Sequence, residues 1–242
     1  MYTGVDGCRA GWVSVTLKNR GFELELFSAF KPLVDHHLKS KIILVDMPIG
    51  LVSKPLRYRE CDRLARKILS PKRHPSVFSP PVRVVLKSKS YAEACRLSRA
   101  EIGVALSLQS YNLMKKIKEV DSLLVKNKEL TSLIKEAHPE VAFCALAGRP
   151  MNHHKRTPEG QRERRATLKP YLTQLEKIET EAKNKFRRGQ VGEDDLLDAV
   201  ALAVMAKVAK SNLVSLPREV PLDSKGLPMQ IVYFDKQLRL KL

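Results

Sequence analysis

Asp6, Asp46, Asp195 and Asp198 are the residues of this chain whose surroundings demand a chemical explanation. Asp6 ends an apolar stretch, Asp46 follows the uninterrupted run Ile42-Ile43-Leu44-Val45, and Asp195 and Asp198 lie one helical turn apart beside Leu196, Leu197, Ala199, Val200 and Ala201. A carboxylate in such company must be paired, hydrogen-bonded or metal-bound, because a bare charge in a low-dielectric interior is strongly disfavoured. Acids at two strand ends and one helix start can converge at one edge of a sheet. Converged, they suit magnesium or manganese: two hard cations roughly 4 Å apart, held by carboxylates, activate water and stabilise the leaving oxygen of a phosphodiester. The metal is needed, since uncompensated carboxylates repel phosphate and one of them takes up a proton. Each acid also has a structural alternative. Asp6 can serve the turn toward Gly7 and Gly11, Asp46 the loop amides before Pro48, and Glu193, Asp194 and Asp195 the start of a helix. Asp198, set among apolar neighbours beyond those first residues, is the hardest to explain in this way.

The elements that must position these acids follow from periodicity. Tyr2 to Asp6, Trp12 to Leu17 and Phe22 to Phe27 alternate like strands and are separated by turns at Gly7–Gly11 and Lys18–Gly21, which predicts a three-stranded antiparallel meander. Phe30 to Leu38 reads as a short helix, and Ile42 to Val45 as a strand buried on both faces. Arg57 to Leu69 has helical spacing, whereas the proline-rich stretch Ser70 to Pro81 is a loop. Helices are predicted over Tyr91–Ser98 and Val104–Val120, a strand over Ser132–Ala137, and a short helix over Val141–Ala147 begun by Pro139 and Glu140. Thr157–Arg188 is charged and mostly helical, broken at Pro170; Asp195–Ala209 is a helix apolar enough to be buried against the sheet.

Composition narrows the partners. The 242 residues carry a formal charge of +18 and a pI near 9.9, an excess that favours polyanions, and nucleic acid is the leading candidate. The basic residues concentrate in two stretches, Lys54–Arg99 and Arg149–Arg188, for which solvated helix faces are the alternative explanation. Cys8, Cys61, Cys95 and Cys144 are scattered without a CxxC pair, so reduced structural thiols are expected. The doublets His36-His37 and His153-His154 lack metal-ligand spacing. No apolar run approaches the roughly 20 residues that span a bilayer, and the start Met1-Tyr2-Thr3-Gly4-Val5-Asp6 reads as a strand rather than a leader. A soluble cytoplasmic protein is the expectation.

The same residues carry a family resemblance that runs through nearly the whole chain. Gly4–Trp12, Val45–Leu51, Arg59–Arg63, Ser76–Phe78, Leu106–Gln109, Glu136–Val141 and Asp194–Ala199 resemble, in order, the blocks of an uncharacterised domain-of-unknown-function family of predicted RNase H-like nucleases. The resemblance implies an α/β fold with a mixed five-stranded sheet, an antiparallel meander followed by parallel strands, flanked by helices and similar to RuvC-type resolvases. It implies one such domain over 1–242, with basic helical insertions around 54–120 and 149–190. It also implies metal-binding acids on the first strand, the fourth strand and the last helix, at Asp6, Asp46, Asp195 and Asp198 here, with Glu140 of the His-Pro-Glu block as a further acid beside the site. Fold alone does not fix function.

Three functions compete. In a metal-dependent nuclease, Asp6 and Asp198 are the principal ligands, Asp46 and Asp195 complete the site, the cofactor is Mg2+ or Mn2+, and the basic stretches bind phosphates; Arg9, after Asp6, either touches substrate or stays on the surface. An ATP-dependent phosphotransferase of the actin and sugar-kinase class would use Asp6–Gly11 as a phosphate turn, but this chain has neither the length nor the second turn which that doubled architecture needs. A non-catalytic nucleic-acid binder accounts for the charge but not the carboxylates, and aromatics amount to only 6%, few for stacking platforms.

Overall fold

The computed structural model describes residues 1–210 and 212–235. The meander is present: β1 (Tyr2–Cys8) pairs antiparallel with β2 (Gly11–Leu17), and β2 with β3 (Phe22–Phe27). After helix α1 (Phe30–His37), β4 (Ile42–Val45) lies parallel to β1, with Val5 opposite Val45. The chain then forms α2 (Glu60–Leu69), α3 (Tyr91–Ile102) and α4 (Leu108–Lys126) before β5 (Ile134–Glu136) joins β4 in parallel. The sheet order is β3-β2-β1-β4-β5. This is the mixed five-stranded α/β sheet expected of an RNase H-like fold.

Helices α5 (Pro139–Ala147), α6 (Pro158–Leu168), α7 (Leu175–Lys185) and α8 (Glu193–Ala209) follow, then a separate antiparallel pair, β6 (Leu213–Leu216) and β7 (Ile231–Phe234). That pair escapes sequence reading because 14 residues separate its strands, bridged by the turn-rich segment 217–230. It packs Leu216, Ile231, Val232 and Tyr233 into the same core as α8 and α5.

Both faces of the sheet are covered, which is why every residue of β2 is buried. Val5, Trp12, Ile43 and Val45 face Phe30 and Leu33 of α1 and Ile117 and Val120 of α4. Val13, Val15, Leu17 and Leu44 face α8, with α2, α5 and α7 around it. Because side chains alternate along a strand, Gly4 and Asp6 on β1 share a face, as do Leu44 and Asp46 on β4 and just past it. That face belongs to α8. At Gly4 the helix backbone comes close enough that a Cβ would lie 2.1 Å from the Ala199 carbonyl oxygen and 2.4 Å from the Ala203 amide nitrogen.

Predicted boundaries shift where caps decide them. The helix expected from Val104 begins at Leu108, because Gly103 ends α3 in the left-handed region (φ 81°) and the Ser107 hydroxyl caps α4 by accepting from the Ser110 amide at 3.1 Å. The break foreseen at Pro170 separates α6 from α7. All four cysteines are buried and free. Among the described residues, no helix is long and apolar enough to cross a membrane.

Candidate metal centre

Asp6 and Asp46 are brought together by strand register. β1 and β4 run parallel and in step up to Val5 and Val45, and the Asp46 amide continues the ladder by donating to the Val5 carbonyl at 3.0 Å. The two aspartates thus stand side by side, on the α8 side, at the C-terminal edge where the parallel pairing of β1 with β4 ends, while β1 itself runs on to Cys8 against β2. Open α/β sheets place their ligands at this edge. Helix α8 adds Asp198. Ala199, Leu202 and Ala203 cross β1 at Gly4; four residues of helix and two of strand each advance about 6 Å, so Asp198, one turn before Leu202, draws level with Asp6.

One carboxylate oxygen from each of Asp6, Asp46 and Asp198 lies within 4.8 Å of the other two. Asp6 and Asp198 are buried and Asp46 is half-buried. An oxygen donor set of this kind suits a hard divalent cation, whose ligand distances of about 2.0–2.6 Å place opposite oxygens roughly 4–5 Å apart. The three acids therefore fit around one ion. Asp195 and Glu140 line the same cleft, of about 780 Å3, but lie outside this trio. Asp195 Oδ2 accepts from the Gly192 amide at 3.0 Å and so closes the start of α8, the structural role open to it from sequence. Asp6 Oδ1 likewise accepts from the Gly7 amide at 2.6 Å. Glu140 is ion-paired through Oε1 with the fully buried Arg164, and with Arg73 at 3.4 Å; its Oε2 is buried without a hydrogen-bond partner.

The electrostatics disfavour three charged carboxylates. Burial pushes the Asp6 carboxyl well above its ordinary pKa, Asp46 and Asp198 add to the rise, and Lys155 opposes it. Asp198 is pushed up to about 7 by burial, with Lys155 pulling down and Asp46 pushing up. Burial raises Asp46 against the pull of His138 and Lys155, and raises Asp195 against the Gly192 hydrogen bond. Three charged aspartates cannot share this space without a cation.

The residue that supplies one is legible in the sequence only as a member of the basic stretch Arg149–Arg188. Lys155, in the loop before α6, places Nζ 2.6 Å from Asp198 Oδ2 and 3.7 Å from Asp194 Oδ2. Burial disfavours its ammonium, but Asp198, Asp6 and Asp46 outweigh that and hold the lysine charged. Nothing in its local spacing marks it among the neighbouring basic residues. The buried cluster of Arg59, Asp62 and Glu136 beneath the loop after β4 was missed. Arg59 Nη2 bonds Asp62 Oδ1 at 2.7 Å and pairs with Glu136 Oε1, and its Nη1 donates to the carbonyls of Ile49 and Gly50, each at 3.1 Å. Glu136 Oε2 accepts from the Ile49 amide at 2.7 Å. These bonds fix the turn that carries Asp46. A signal existed for Glu136, an acid closing a buried strand just as Asp46 does.

The basic stretches divide by role. Arg59 and Arg164 are buried, and Arg83 pairs with Asp121 and Asp223, so these three serve the fold. Lys72 and Arg73 from the first stretch and Lys155 and Arg156 from the second line the acidic cleft. Arg9 is exposed at the turn between β1 and β2.

Fold and site together define an α/β protein with a mixed five-stranded sheet and a largely buried aspartate trio, able to hold a metal ion, at the edge where its parallel strands end. The chain belongs to the DUF429 family: the family model, described as a protein of unknown function, matches residues 4–221. Searches of curated proteins and of solved structures found no match.

Proposed function

We propose that this protein is a metal-dependent nuclease, hydrolysing phosphodiester bonds of nucleic acid at Mg2+ or Mn2+ held by Asp6, Asp46 and Asp198. The observation that carries the reading is the convergence of these three aspartates within 4.8 Å inside a cleft whose other walls bear Lys72, Arg73 and Arg156. Anionic ligands surrounded by cationic side chains make sense where a polyanion must approach a metal, because the carboxylates by themselves would repel it. The bound cation supplies activation of water and charge neutralisation at phosphorus. The chain's own residues do the rest. Lys72, Arg73 and Arg156 hold phosphate oxygens along the cleft, and Asp195 lines it beside Asp6.

The alternatives fit less well. For the phosphotransferase reading, the turn expected over Gly7–Gly11 narrows to Arg9 and Ala10, with Gly7 paired to Trp12 and Cys8 to Gly11, and the Ala10 amide is already donated to Gln190 O at 3.1 Å. A simple polyanion binder gains nothing from buried acids at the centre of its cleft.

Labelled DNA, RNA, hybrid and branched substrates incubated with Mn2+, beside Asp6→Asn, test the reading. Metal-dependent cleavage lost in the variant supports it. No cleavage of any substrate, combined with metal-independent binding, overturns it in favour of the binder; cleavage that survives Asp6→Asn moves the site elsewhere.

A further inference from the structure

Resting on the metal reading above, we propose that the site holds a single divalent cation and that the Lys155 ammonium stands where a second would.

Three observations carry this. The first is charge. Lys155 Nζ lies 2.6 Å from Asp198 Oδ2 and 3.7 Å from Asp194 Oδ2, so an ammonium already neutralises part of the acidic cluster, and a second divalent ion would have to be bound against its repulsion. The second is space. The three oxygens lie within 4.8 Å of one another, the spread of ligands about a single ion, and Lys155 Nζ at 2.6 Å already holds one of the two Asp198 oxygens. The third is the state of the remaining acids. Asp195 Oδ2 accepts from the Gly192 amide and Glu140 Oε1 from Arg164, which leaves each acid one oxygen toward the cleft they line. Glu140 Oε2 is left buried and unpartnered in the wall of the same cleft. An orphaned anionic oxygen is unfavourable until a donor reaches it, and the waters that a small divalent ion keeps in its shell are such donors. Glu140 Oε2 then accepts from the hydrated face of the ion.

Lys155 is thus the side chain on which the number of bound ions turns. Titration calorimetry with Mn2+, paired with electron paramagnetic resonance, reads this directly. Wild type is expected to bind one Mn2+ per chain with the six-line spectrum of an isolated ion, and Asp6→Asn to lose it. Lys155→Met and Lys155→Gln are expected to bind two, with the broadened spectrum of coupled ions; Lys155→Arg, which keeps the charge, is expected to stay at one. Two ions in wild type, or one ion in both neutral variants, overturns the role of Lys155 and leaves the metal reading standing. No saturable Mn2+ in wild type overturns both. The wild-type count alone can refute the proposal, whatever the variants do to folding.

Discussion

Gly4 of β1 and Ala199 of α8 meet backbone to backbone: a Cβ on the glycine would sit 2.1 Å from the Ala199 carbonyl oxygen. Only an absent side chain allows this approach, and it is this approach that sets Asp198 beside Asp6. Gly4→Ala should therefore force α8 off the sheet, destabilising the protein by about 1–3 kcal/mol or more and weakening Mn2+ binding although no ligand has changed. Urea denaturation and metal titration of the variant check both. Unchanged stability would mean the helix can slide without cost.

The pair formed by Asp198 and Lys155 predicts a mild effect on the metal-free fold. Asp198→Asn removes the ammonium's nearest partner but also relieves Asp6 and Asp46 of a like charge, and Lys155, with its side chain 28% exposed, still reaches water. The metal-free melting temperature should stay close to that of wild type. The rise that Mn2+ gives wild type should vanish in the variant. A variant that melts much lower yet keeps the full metal-induced rise would remove Asp198 from the site.

The cluster of Arg59, Asp62 and Glu136 predicts the opposite pattern. Arg59→Met strands two buried carboxylates and should cost roughly 3–5 kcal/mol of stability, with metal affinity falling as the turn bearing Asp46 loosens. Asp6→Asn, by contrast, should leave the metal-free fold as stable as before or more so. Chemical denaturation of the two variants side by side decides the contrast.

Acidity has opposite effects on folding and on metal binding. With Asp198 held at about 7 and Asp6 well above its usual value, the folded protein keeps protons that the unfolded chain releases near pH 4. The stability contributed by these groups is complete below about pH 4 and is lost as the pH rises toward about 7. A cation must displace the same protons, so Mn2+ affinity should climb from about pH 5 and level off above about 7. Titrations across that range measure it; a flat profile would contradict the raised carboxyls.

Salt should report the basic rim. If about six phosphates are contacted, nucleic-acid affinity falls about a thousandfold between roughly 50 and 200 mM salt. Lys72→Ala and Arg156→Ala should each reduce the salt slope by about one contact. Arg164→Ala should act on stability instead, because Arg164 is fully buried against Glu140. Binding that ignores salt would place the substrate elsewhere.

Much of this was legible in the chain itself. Period-two alternation marked the meander, the unbroken run Ile42–Val45 marked a strand covered on both faces, and the apolar helix ending at Ala209 marked the element that covers one of them. These are local signals, set by how side chains alternate on strands and recur on helices. The acids stood out for the same reason, as charges within apolar runs. Which of them meet was decided by tertiary structure. The register of β1 against β4 placed Asp46 beside Asp6, the close crossing at Gly4 brought Asp198 to both, and Asp195 and Glu140 line the same cleft with one oxygen each in a helix cap and a buried ion pair. Lys155 had no signal to give. A lysine in a loop looks like any other until folding brings it, across 43 residues of sequence, to a carboxylate that has lost its water, and the strength of that pairing depends on a desolvation that only the packed molecule creates.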